Sequence, residues 1–105
     1  MYKLIILIEP PNDPSVFDET WPLFLREAER MPGLVREATV RVDHTLFGSL
    51  QVSMIHELFF DTLAELQMAM NSTFGQISGN VLQRITEGRM SLLVAEHRED
   101  DMANI

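Results

Sequence analysis

The chain has 105 residues, with 16 Asp plus Glu against 8 Lys plus Arg, a formal net charge of −8, 46% apolar residues and no cysteine. A single domain of this size buries well over half of the surface that its unfolded chain exposes, enough for one two-layer core without a disulfide or a structural metal. The lack of cysteine excludes a disulfide scaffold, a thiolate zinc site and a cysteine nucleophile and suits a reducing cytoplasm, while an acidic chain with scattered basic residues argues against nucleic acid or an anionic membrane as partner.

Residues 2 to 9 form a short run, β-branched and long aliphatic from Leu4 to Ile8, closed by Pro10-Pro11-Asn12-Asp13-Pro14, the length and stop of a buried central strand. No apolar run approaches the roughly 20 residues of a membrane span, and no small-residue cleavage site follows the first strand, so a mature, soluble protein is expected. Asp13 can cap a helix whose first position is Pro14. Phe17, Trp21, Phe24, Ala28 and Met31 then recur at helical spacing on one stripe. Pro22 predicts a kink or a new start near Thr20, because its ring opposes the carbonyl of Asp18. Pro32-Gly33 ends the helix.

From Leu34 to Leu58 the pattern alternates, which predicts two strands of a hairpin turning around Phe47-Gly48-Ser49. Thr62 and Glu65 form a capping box for a helix with Leu63, Leu66 and Met70 as its buried stripe. Ser72-Thr73-Phe74-Gly75-Gln76 interrupts and recaps, and Ile77, Val81, Leu82 and Ile85 carry a further helix to Glu87-Gly88. Met90 to Glu96 is the last strand. A single domain over residues 1–98 and an acidic C-terminal tail over 99–105 follow.

The order β-α-β-β-α-β, with the second helical region in two pieces, gives an α+β fold of the ferredoxin-like type: a four-stranded antiparallel sheet with its helices on one face. Strands one and four carry apolar residues at both parities (Leu4, Ile6, Ile8 with Ile5, Leu7; Met90, Leu92, Val94 with Leu93, Ala95). An antiparallel sheet with one wet face alternates cleanly, so the second face also needs cover, and a second copy of the chain is the economical choice.

Met1-Tyr2-Lys3-Leu4, Phe17-Asp18-Glu19-Thr20-Trp21, Met31-Pro32-Gly33-Leu34 and, above all, Glu57-Leu58-Phe59-Phe60-Asp61-Thr62-Leu63 followed by Phe74-Gly75-Gln76 resemble the EthD-like proteins of the dimeric α+β barrel superfamily. The resemblance covers nearly the whole chain and rests on the order and spacing of these segments. It implies a homodimer whose sheets pair into a barrel and a small-molecule pocket in each subunit. Relatives in the superfamily include cofactor-free oxygenases, lactone isomerases and aromatic cyclases. Many EthD-like sequences place a histidine and a tyrosine at positions that fall here near Leu25 and Glu37, so acid–base chemistry resting on those two groups does not carry over.

His44 and His97 lie near strand ends, where solvated surface is expected, and no histidine has metal-ligand spacing. His56 sits in mid-strand between Met54 and Leu58 and points to apolar surroundings, either as a hydrogen-bonded structural residue or as a pocket acid or base. Glu57 points the other way and must be paired, with Arg41 or Arg36 of the second strand, or be open to a cavity. The expected pocket lies between the sheet and the first helix, lined by Trp21, Leu25 and some of Met54, His56, Glu57 and Met70, with His56 and Glu57 as the candidate catalytic groups on opposite faces. Two functions stay open: a cofactor-independent enzyme (isomerase, cyclase or monooxygenase type) on a small apolar or aromatic metabolite, or a non-catalytic ligand-binding or accessory protein. An RNA-recognition domain shares the element order but requires aromatic and basic residues on strand three that this chain lacks.

Overall fold

The structure is a computed structural model that describes residues 1–102; the last part of the expected acidic tail, 103–105, lies outside the described residues. Its elements are β1 (Tyr2–Ile8), α1 (Pro14–Ala28), β2 (Leu34–Arg41), β3 (Met54–Phe60), α2 (Leu63–Asn71), α3 (Thr73–Thr86) and β4 (Met90–Glu96). The strands form one antiparallel sheet in the order β2-β3-β1-β4, the ferredoxin-like arrangement, with the helices on one face.

Helix α1 begins where Asp13 accepts hydrogen bonds from the N–H groups of Ser15 and Val16, and Pro14 fills the position that needs no donor. Phe17, Trp21, Phe24, Ala28 and Met31 are all buried, as the spacing requires. The expected restart near Thr20 does not form, and the helix runs unbroken through Pro22. Asp18 and Pro22 both lie on the exposed side, where water can take the bond that proline cannot supply.

Ser72 ends α2 and caps α3, accepting from the N–H of Gly75 at 3.1 Å. Here glycine is obligatory, since a Cβ at Gly75 would lie 2.1 Å from the carbonyl oxygen of Ala69. The expected stripes shift by one position. In α2 the buried residues are Leu66 and Ala69, whereas Leu63 and Met70 are each 37% exposed. In α3 they are Ser78, Leu82 and Thr86, while Ile77 is exposed and Val81 and Ile85 are half-buried. The reason is close approach: small residues let the helices meet, and the hydroxyls of Ser78 and Thr86 donate to the carbonyls of Gly75 and Leu82, so neither is buried unsatisfied.

Leu4, Ile6 and Ile8 of β1 and Met54, His56, Leu58 and Phe60 of β3 face the helices and are buried. Lys3, Ile5, Leu7, Ile55, Glu57 and Phe59 take the opposite face, where Ile5, Leu7 and Ile55 stay half-buried with no helix over them. Strand β2 has a register break between Leu34 and Arg36. Leu34 pairs with Phe60 on the helix side, Val35 is the extra residue, and Glu37 and Thr39 then pair with Leu58 and His56. Beyond the bulge Glu37, Thr39 and Arg41 therefore face the helices, while Arg36, Ala38 and Val40 face away.

The strands of the hairpin are joined by residues 42–53 rather than by a tight turn, closed at the base by a bond from the Val42 N–H to the carbonyl of Ser53. Leu46 and Phe47 in this loop are 91% and 98% exposed.

Candidate functional site

His56 lies in the middle of β3 on the helix side and is 1% exposed. Trp21 and Phe24, successive members of the α1 stripe, present ring contacts to it edge-on, with centroids 5.3 and 6.0 Å away. Its Nδ1 is 2.8 Å from the hydroxyl of Thr39, and its Nε2 is 3.3 Å from a carboxylate oxygen of Glu37. An ionised carboxylate only accepts, so Nε2 carries the proton and Nδ1 accepts from Thr39. Burial pushes the His56 pKa down, against the upward pull of the Glu29 and Glu57 carboxylates, which favours the neutral ring that this pattern requires.

A second carboxyl group completes the rim. Glu29, the C-cap residue of α1, is hydrogen-bonded to Glu37; that bond, then burial and the Glu37 charge, push its pKa up. A proton held between two carboxyls is the physical cause. The cluster thus runs from the exposed Thr39 through the buried ring to Glu37 and Glu29 at the surface.

The other sequence candidates are distributed as follows. Met54 is buried on the same face as His56, two residues before it, and Leu25 is half-buried against the core. Glu57 stands on the opposite face in an ion pair with Lys3 of β1, so it does not share a site with His56. The expected partners are engaged elsewhere or face the other side: Arg36 lies over the ring of Phe59 and pairs with Glu99, and Arg41 is opposite Met54. His97 is not simply solvated; it packs edge-on against Phe59 and bonds to Glu99 at 2.6 Å. His44 is exposed and bonds to its neighbour Asp43.

An apolar cavity of about 70 Å³ lies between β1, β4 and the helices, lined by Ile6, Phe24, Leu58, Met70, Gly79 and Leu92 among others. Phe24 is common to both features: one part of its surface lines the cavity and its ring meets His56. Met70 belongs to this cavity, whereas Trp21, Leu25 and Met54 do not line it. Sequence reasoning missed Glu37, Thr39 and Glu29 as partners of His56. The residue identities were visible, but the bulge that turns β2 over was not. Among the described residues no group of three His, Cys, Asp or Glu is placed to hold a metal ion, and no helix is long and apolar enough to cross a membrane.

No family model matches the sequence, and a search of curated proteins finds no match. Solved structures do match. An ethyl tert-butyl ether D (EthD) family protein from Bacillus halodurans superposes with a TM-score of 0.86 at 27% identity, covering 93% of this chain and 99% of its own. A dimeric ferredoxin-like protein of unknown function from Jannaschia sp. gives 0.68 at 15% identity over 91% and 98% of the two chains. SnoaB, a cofactor-independent oxygenase from Streptomyces nogalater, gives 0.69 at 12% identity over 94% of each. The EthD-like resemblance read from the residues thus holds in three dimensions and over nearly the full chain.

Proposed function

We propose that this protein binds a compact apolar or aromatic molecule between its sheet and helices and acts on it by proton transfer at the cluster around His56, without a metal or organic cofactor. The carrying observation is the adjacency of an apolar cavity and a buried, hydrogen-bonded imidazole across one shared side chain, Phe24. On this reading Trp21, Leu25 and Met54 support the polar end, Met70 borders the apolar end, and Glu57 holds the opposite face with Lys3. The description of SnoaB as a cofactor-independent oxygenase supports a reaction of this kind on this fold.

The same reading makes the protein a cytoplasmic homodimer whose uncovered sheet faces meet. Half-buried Ile5, Leu7 and Ile55 with exposed Val40 and Leu93 supply the apolar surface, and similar folds described as dimeric support it. Light scattering at micromolar concentration should give twice the 12.0 kDa chain mass; a monomer would overturn the pairing.

A second reading, binding without chemistry, is favoured by one observation: both ring nitrogens of His56 already have partners within the chain. Titrating labelled protein with small phenols, quinones and aromatic ketones tests both. Saturable amide shifts at Phe24, Met70 and Gly79 are expected, and turnover of a bound compound separates enzyme from binder. No saturable binding by any of them would sink the proposal.

A further inference from the structure

We propose that the group exchanging a proton with the ligand is the carboxyl of Glu37, with His56 as its positioning residue and Glu29 as the group that passes the proton to water. This rests on the proton-transfer reading above and names the residue that would carry it.

The geometry separates the roles. His56 is 1% exposed, and each of its nitrogens is already used: Nδ1 by Thr39 at 2.8 Å and Nε2 by Glu37 at 3.3 Å. A base with both nitrogens engaged and no exposed surface cannot take a proton from a ligand without breaking one of these bonds. The Glu37 side chain is 29% exposed, and a carboxylate that accepts one bond from an imidazole keeps further lone pairs free. The bond from Nε2 fixes the carboxylate on the inner side of β2, and Thr39 fixes the ring by holding its other nitrogen.

Glu29 comes from the end of α1 and Glu37 from β2, so the two carboxyls meet from different elements. The remaining charged neighbours are Glu57, behind the sheet, and Arg41, beyond Thr39 on the same face of β2. In the proton transfer a C–H or O–H proton of the ligand moves to a Glu37 oxygen, and the electron pair of the broken bond stays on the ligand. The Glu29 carboxylate then takes up the proton from Glu37 and releases it to water, which restores both groups. No oxidant or reductant enters this step.

The test uses 2-tetralone, an apolar aromatic ketone with an acidic α-C–H, and follows its deuterium uptake in D₂O by NMR. Wild-type protein should accelerate uptake, and Glu37→Gln, which keeps an acceptor for Nε2–H but cannot take a proton, should lose about 100-fold. Glu29→Gln, which cannot relay the proton to water, should lower the rate about 10-fold and move the acid limb of the pH profile to lower pH. Thr39→Val, at an exposed position, should lower the rate and shift the His56 ¹⁵N signals from a pure Nε2–H form toward a tautomer mixture. Full rate in Glu37→Gln, or an Nδ1–H tautomer in the wild type, would overturn the assignment while leaving the proton-transfer reading standing. No acceleration by the wild type would overturn that reading, and the assignment with it.

Discussion

The ammonium of Lys3 and the carboxylate of Glu57 form an ion pair across the two central strands, on the face of the sheet that no helix covers. Lys3 is opposite Phe59 and Glu57 is opposite Ile5, so the pair is diagonal and flanked by apolar side chains. The side chains are 16% and 18% exposed, which places them between a surface pair and a core pair. Glu57→Gln alone should cost about 1–2 kcal/mol, because it leaves the ammonium without its counter-charge; Lys3→Met with Glu57→Leu should recover most of that loss. Urea unfolding of the two single variants and the double variant reads both effects, and a double variant less stable than either single one would contradict the account.

Stability should fall on mild acidification. The folded-state pKa of His56 is lowered by burial, so the unfolded chain binds a proton at higher pH than the folded one. Stability is therefore full above the ordinary histidine value of about 6.5 and is lost as the pH drops below it toward the folded-state pKa. Glu29 acts in the opposite sense: its raised pKa means that the folded state holds the proton more strongly, so acid relieves its repulsion with Glu37. Urea midpoints measured from pH 8 to 4 should decline in the wild type from near pH 6.5, with Glu29→Gln more stable than the wild type near neutrality and converging with it in acid. A flat profile through pH 6 would show that His56 charges freely in place.

The two glycines of α3 should respond in opposite ways to alanine. At Gly75 a Cβ meets backbone at 2.1 Å, so Gly75→Ala must force α2 and α3 apart and should cost more than about 2 kcal/mol. At Gly79 a Cβ meets nothing within 4 Å, and a helix-interior alanine is worth about 0.5–1 kcal/mol over glycine. Thermal unfolding of the pair should place the wild type between them. Because Gly79 borders the apolar cavity, Gly79→Leu should also abolish binding of any small ligand found there, with the fold intact by circular dichroism.

Trp21 packs against Phe17, Phe24 and His56, with ring centroids 5.6, 5.0 and 5.3 Å away. Trp21→Ala should cost about 3–5 kcal/mol and loosen His56 in its socket, whereas Trp21→Phe should cost less than about 2 kcal/mol. Far-ultraviolet circular dichroism in urea measures both, and an alanine variant as stable as the phenylalanine one would show that the ring is not packed as described.

Elements with a strong local signal were legible in the residues. The run Leu4 to Ile8, the Asp13-Pro14 cap and the Phe17–Met31 stripe are set by backbone chemistry and helical period, and each lies where its pattern puts it. The stripes of α2 and α3 were less legible, because Ala69, Ser78 and Thr86 are buried through helix contact rather than through apolarity. The opposed orientation of His56 and Glu57 follows from strand parity alone. Their partners did not: Lys3 reaches Glu57 through the β1–β3 register, and Glu37 reaches His56 through an irregular β2, and neither register is written in the local sequence.

Leu34 and Glu37 are an odd number of residues apart, so in a regular strand one of them would turn its back on the helices. The extra residue at Val35 lets the chain keep Leu34 against Phe60 and still present Glu37 and Thr39 to His56. At this edge the number of residues, more than their identity, decides what chemistry reaches the interior. Substituting Glu37 alters one group, but adding or removing a residue between Arg36 and Thr39 would exchange inside for outside along the rest of the strand, bringing aliphatic side chains to His56 and polar ones to the bare side. Divergence among proteins of this shape can thus proceed by insertions and deletions at a sheet edge, with the core left untouched.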